Sequence, residues 1–200
     1  MLLEVADSQL VLVDYQTKLM PAIFEGGAVT QRAVMLAKGA QLLGVPVWGT
    51  EQNPDKLGPN APELKALCDR TLSKMHFGAC QPNLIDVLRP APTAPSGNAR
   101  SLPKHLQKSK AAAPERNTVV VAGCETHVCL LQTALGLLEE EFDVWVVTDA
   151  CSSRKERDRD AAFDRLAGNG AELVTTEMVL FEWMKTCEHP QFREVLALVK

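Results

Sequence analysis

The chain has 200 residues, 46% of them apolar and 23% charged, the balance of a single globular domain spanning 1–200. Its formal charge of −4 argues against a general polyanion binder. No apolar run approaches the ~20 residues that cross a bilayer, and the opening MLLEVADSQ lacks the basic start and small-residue cleavage site of a secretory leader. The expectation is an intracellular protein, cytoplasmic by default, with no membrane association.

Ser8 to Tyr15 holds Leu10, Val11, Leu12 and Val13 without a break, which predicts a strand buried on both faces of a parallel sheet. Residues 28–44 read as a helix stopped by Gly44. A short strand follows at Val45 to Thr50, then loop chemistry over 51–60 (EQNPDKLGPN) and a short helix over 61–68. Arg70 to Ser73 reads as a third strand leading into Lys74, and Asn83 to Leu88 as a short helix. Thr118 to Ala122 (TVVVA) is another core strand, followed by a helix over about 126–141 and a strand at Val144 to Thr148. A helix near 157–169, a strand at Leu173 to Thr175, and helices near 177–185 and 189–198 close the chain. Alternating strands and helices predict an α/β fold with a mainly parallel sheet.

Residues 89–117 break this rhythm. They hold five of the twelve prolines, and between Arg100 and Arg116 they carry Arg100, Lys104, His105, Lys108, Lys110 and Arg116 against the single acid Glu115. Proline and charge offer little apolar surface to bury, so a poorly ordered surface loop is expected over about 91–115.

In open parallel sheets ligands bind beyond the carboxyl ends of the strands. Three chemically able side chains fall there: Asp14 after LVLV, Lys74 after RTLS, and Cys129 just beyond VVVAG. Each alone has an ordinary reading: a turn-capping aspartate, a solvated lysine, a buried cysteine. The six cysteines (68, 80, 124, 129, 151, 187) form no CxxC pair and no zinc pattern, and disulfides are not expected in an intracellular chain. Cys129 differs from the others by its place. With Thr126 read as a helix N-cap, it falls in a first helical turn, where the positive helix end lowers a thiol pKa.

Together these segments resemble the isochorismatase-like cysteine hydrolases. LVLVDYQ supplies the aspartate, SKMHFGAC the lysine and AGCETHVC the cysteine, while VVTDACSSR is similar to the strand end that follows in this family. The resemblance covers nearly the whole chain apart from 89–117. It implies a three-layer α/β/α, Rossmann-like fold with sheet order 3-2-1-4-5-6, and a cis peptide at Cys124–Glu125 forming the oxyanion turn. It also implies Asp14, Lys74 and Cys129 as catalytic residues and, by analogy, a homo-oligomer. Thr50-Glu51-Gln52-Asn53-Pro54 brings it near the isochorismatase domain-containing proteins without assigned substrates. Nicotinamidases carry an Asp-x-His metal motif where this chain has Glu51-Gln52-Asn53, so no metal and no other cofactor is expected.

The reading is a hydrolase that cleaves a small amide, carbamoyl or related carbonyl compound through a Cys129 thioester, with Gln16, His76, Phe77 and His127 lining the pocket. Two alternatives stand beside it. One is a catalytically silent scaffold of the same fold. The other is a nucleic-acid-associated protein using the five Lys/Arg residues of 100–116, which is disfavoured because no aromatic residues interleave there for base stacking.

Overall fold

The computed structural model describes residues 2–90 and 116–200. Strands β1 (Ser8–Val13), β2 (Val47–Gln52), β3 (Arg70–Lys74), β4 (Thr118–Gly123), β5 (Asp143–Val147) and β6 (Glu172–Val174) form one sheet in the order β3-β2-β1-β4-β5-β6. Every pairing is parallel. The inner strands β1 and β4 are buried at every position, as their unbroken apolar runs require when helices cover both faces.

The principal helices are α1 (Gly26–Leu43), α5 (Leu131–Glu139), α6 (Glu156–Gly168), α7 (Thr176–Met184) and α8 (Phe192–Val199). Short helical turns α2 (Pro54–Leu57), α3 (Pro62–Lys65) and α4 (Ile85–Leu88) flank β3. Helices α1, α7 and α8 pack on one another, and α5 packs on α6. Gly44 ends α1 in the left-handed conformation at φ 75°, with its N–H on the carbonyls of Ala40 and Gln41. Thr175 caps α7 by accepting from the Met178 N–H.

Three local expectations need correction. Strand β2 starts two residues later than predicted and runs through Glu51 and Gln52, because Glu51 and Gln52 pair in register with Ser73 and Lys74 of β3. The predicted helix over 126–141 opens with a wider π-type turn over Thr126–Leu130 before α5 begins. Thr126 does not cap it. The cap position is Glu125, extended at φ −83°, ψ 140°, and the buried Thr126 hydroxyl has no hydrogen-bond partner among the described residues.

The expectation of disorder over 91–115 lies outside the described residues. The two ends of that segment are held together: the Gln9 side-chain amide, on β1, donates to the Leu88 carbonyl and to the Arg116 carbonyl, both at 3.1 Å. Gln9 Oε1 is fixed in turn by Trp48 Nε1 at 3.1 Å. Replacing 91–115 by a short Gly/Ser linker is expected to shift stability by no more than ~1 kcal/mol, since closure entropy changes by only about 0.6 kcal/mol per doubling of loop length. Urea unfolding of the trimmed chain checks this, and a loss of several kcal/mol would show that the segment packs on the core.

Gly123 ends β4 against β1. A Cβ there would lie 2.3 Å from the Val13 carbonyl oxygen and 2.6 Å from Val13 Cβ, closer than atoms approach. Gly123→Ala therefore has to push two central strands apart. It is expected to lower unfolding free energy by about 2–3 kcal/mol, in the range of overpacked cores, which denaturant titration would measure.

Candidate active site

The strand order reverses between β1 and β4, and their carboxyl ends open the crevice where such sheets bind ligands. Asp14 follows β1 directly. Its backbone takes the left-handed conformation at φ 55°, which aspartate tolerates better than most residues. Its N–H donates to the Thr50 carbonyl at 3.2 Å. Lys74 is the last residue of β3, two strands away, in register with Gln52. Its side chain crosses the end of β2, and its ammonium meets Asp14 Oδ2 at 2.6 Å.

This ion pair is dry, with side-chain exposures of 4% for Lys74 and 0% for Asp14. Its remaining hydrogen-bond capacity is filled by neighbours. Asp14 Oδ1 accepts from the Thr50 hydroxyl at 2.7 Å. The Lys74 ammonium also donates to the Phe77 carbonyl at 2.9 Å and Gln52 Oε1 at 3.0 Å, with the His76 carbonyl farther off at 3.4 Å. Gln52 Nε2 donates to the Met75 carbonyl at 2.8 Å.

Cys129 lies in the π-type turn beyond β4 and is 6% exposed. The charges of both Asp14 and Lys74 act on its thiol. Burial first, and then the Asp14 carboxylate, push the thiol up to about 12, with Lys74 pulling it down without prevailing. Burial thus outweighs the lowering expected from a place at a helix start. The carbonyl of Glu125 already engages the N–H groups of Val128 and Leu130 within this turn.

The peptide bond Cys124–Glu125 is cis. Cys124 is fully buried under the turn, with its N–H on the Val13 carbonyl at 3.0 Å. Glu125 is anchored outward: its Oε2 accepts from the Arg154 main-chain N–H at 3.0 Å and from Arg154 Nε at 2.9 Å.

The four residues expected to line the pocket divide. Gln16 is fully buried, and its amide brackets the strand ends, donating to the Gln52 and Gly58 carbonyls at 2.9 and 2.6 Å while accepting from the Gln52 N–H at 2.8 Å. Both of its N–H donors are thereby engaged within the protein. His76 and Phe77 sit on an exposed rim, Phe77 at 54%. The carbonyls of residues 75–77 point at Gln52 and Lys74, while the side chains of Met75, His76 and Phe77 stand exposed. His127 is half-buried, with Nδ1 2.9 Å from the Ser153 hydroxyl.

Thr50 and Gln52 are the members of the site that sequence reasoning missed. Their signal was the Thr50-Glu51-Gln52-Asn53-Pro54 stretch, whose Glu51 proves to bind the Asn60 N–H and Lys65 Nζ, each at 2.9 Å. Among the cysteines, Cys187 is exposed. Cys68 and Cys80 are partly exposed, and Cys124, Cys129 and Cys151 are buried.

The isochorismatase domain family model matches residues 8–178. Isochorismatase domain-containing protein 2 of Bos taurus is 38% identical over 193 residues, covering 96% of this chain and 83% of that protein. The 2A protein of Mus musculus is 36% identical, covering 96% and 82%. Among solved structures, the MAR1 ribonuclease of Caenorhabditis elegans superposes with TM-score 0.84 at 30% identity, covering 100% of this chain and 92% of the other. The octameric hydrolase of unknown specificity from Escherichia coli, the YcaC gene product, gives TM-score 0.75 at 25% identity, covering 98% and 95%. With its matched domain and its six-stranded parallel sheet flanked by helices, the chain belongs to the isochorismatase family and has that family's hydrolase fold.

Proposed function

We propose that the protein is a cysteine hydrolase that cleaves a small amide, carbamoyl or related carbonyl compound, with Asp14, Lys74 and Cys129 as its catalytic residues. The observation that carries the reading is the dry Asp14–Lys74 ion pair set against a buried thiol. Buried charges are costly unless paired and hydrogen-bonded, and a strongly shifted thiol beside such a pair in a crevice is a functional-site candidate.

Because the thiol rests protonated, attack and proton transfer run together. Asp14 takes the Cys129 S–H proton as the sulfur bonds to the carbonyl carbon. The C–O double bond opens to an oxyanion, which would accept hydrogen bonds from backbone N–H groups of the turn near Glu125 and Cys129. The oxyanion collapses, the C–N bond breaks, and the amine leaves with the proton held by Asp14. Water then attacks the thioester and gives a proton to Asp14. The C–S bond breaks, and that proton returns to sulfur. Lys74 keeps its charge throughout and offsets the negative charge that develops. The octameric E. coli neighbour supports a homo-oligomer here as well.

A second reading, RNA cleavage, has the name of the C. elegans neighbour in its favour. The same variants decide between the two. Ammonia release from a panel of small amides, carbamoyl compounds and ureides, run beside hydrolysis of a labelled RNA, is expected to be confined to the amide arm. Cys129→Ala should abolish it, and Asp14→Asn should lower it by about 10²–10⁴-fold. Activity on RNA that survives Cys129→Ala, with no amide turned over, would overturn the proposal.

Thiol chemistry gives an independent check. In a Cys187→Ser background, iodoacetamide should label Cys129 at a rate that climbs about tenfold per pH unit from pH 7 to 10 without levelling. The thiolate is the reacting form, and this thiol is pushed up to about 12. Asp14→Asn should speed labelling by removing the anion that raises the thiol, and Lys74→Met should slow it. A plateau below pH 8 would contradict the protonated resting state.

A further inference from the structure

We infer that Gln52 is a positioning residue, whose side-chain carbonyl is a neutral tether holding the Lys74 ammonium in place while Asp14 carries the thiol proton. The inference rests on the Cys129 reading above.

An ammonium has three N–H donors. At Lys74 the three nearest acceptors are Asp14 Oδ2 at 2.6 Å, the Phe77 carbonyl at 2.9 Å and Gln52 Oε1 at 3.0 Å. At rest each of the three hydrogens thus has an oxygen acceptor within 3.0 Å, and the sulfur is at best a secondary partner. Once Asp14 accepts a proton, it becomes a neutral carboxyl, and its hydrogen bond to the ammonium loses the charge assistance that roughly doubles such bonds. One N–H is released toward the sulfur or the developing oxyanion. The ammonium then hangs on two neutral carbonyls, the Phe77 main chain and the Gln52 side chain.

Gln52 is built for that task. It is 8% exposed, and its Nε2 is fixed on the Met75 carbonyl at 2.8 Å. Its backbone N–H and carbonyl are both bracketed by the Gln16 amide, at 2.8 and 2.9 Å. Its neutrality matters as much as its rigidity. A carboxylate at position 52 would stay charged when Asp14 is neutralised and would keep the ammonium for itself. Asp14 and Lys74 are the charged groups acting on the thiol. The neighbouring acids are engaged elsewhere, Glu51 with Lys65 and Glu125 with Arg154.

The test uses the full chain in a Cys187→Ser background and follows iodoacetamide labelling of Cys129 by peptide mapping from pH 7 to 10, with thermal unfolding as the fold check. Asp14→Asn imitates the protonated aspartate, so the tether should matter there and little where Asp14 is charged. Gln52→Met is expected to slow labelling about tenfold more in the Asp14→Asn protein than in the Asp14 protein, a coupling that a mutant cycle isolates. Gln52→Glu in the Asp14 protein should slow labelling about tenfold at pH 8, the effect of one pKa unit. Equal slowing by Gln52→Met in both backgrounds would show a packing role and overturn the inference. So would a folded Gln52→Glu protein that reacts at the parent rate across the pH range. These results leave Cys129 reactive and its assignment standing. A parent protein whose Cys129 never reacts overturns the inference together with the reading beneath it.

Discussion

The structure around the crevice is organised by one requirement: two opposite charges have to be kept out of water, 2.6 Å apart, at the ends of strands that are not neighbours. Taking an ammonium and a carboxylate out of water costs several kcal/mol each, and the cost is recovered only when the remaining donors and acceptors are satisfied. The register of the sheet meets that condition. Because Val13 lies opposite Thr50, the hydroxyl of β2 comes within reach of the carboxylate that follows β1. Because Gln52 lies opposite Lys74, an amide oxygen stands beside the ammonium as it crosses β2. A slip of one residue in β2 would turn Thr50 and Gln52 to the other face of the sheet and leave both charges under-bonded.

The same pair explains why a thiol beside a lysine is not a thiolate. A lone cation next to sulfur lowers its pKa, but Lys74 comes with Asp14, whose carboxylate acts against it at the sulfur. Burial then decides, and Cys129 stays protonated. Under the mechanism proposed above, such an arrangement would keep the thiol inert toward stray electrophiles and tie its ionisation to Asp14, which would take the proton as a carbonyl carbon bonds to the sulfur.

Much of this was legible in the chain. Unbroken apolar runs such as LVLV and TVVVA announce central parallel strands, and Asp14 and Cys129 stand out because they lie just beyond such strands, while Lys74 ends the edge strand β3. The hydrogen-bonded surroundings were not legible. Gln16 and Gln52 are 36 residues apart in the chain and bind each other only because the fold joins their strand ends. Periodicity does not mark an amide that saves a neighbouring charge. Glu51 and Gln52 read as loop because polar residues at a strand end look like the start of a turn, although their partners on β3 keep them in the sheet. Thr126 read as a cap from its residue type, yet its turn is wider than an α-turn and its hydroxyl faces no acceptor.

The exposed placement of His76 and Phe77 has the same origin and leads further. Main-chain carbonyls of residues 75, 76 and 77 are drawn inward to Gln52 and Lys74, so the side chains of these residues are forced out onto the rim. The backbone of this loop serves the ion pair, and its side chains are left free of that duty. Residue types at 75–77 can therefore change without altering which acceptors the ammonium finds. Those at 50 and 52 cannot, because there the side chains themselves hold the charges. In this architecture the charged centre and the rim are served by different parts of the same short loop. A fold that has to bury one ion pair thus keeps its chemistry constant while leaving the approach to it open to variation.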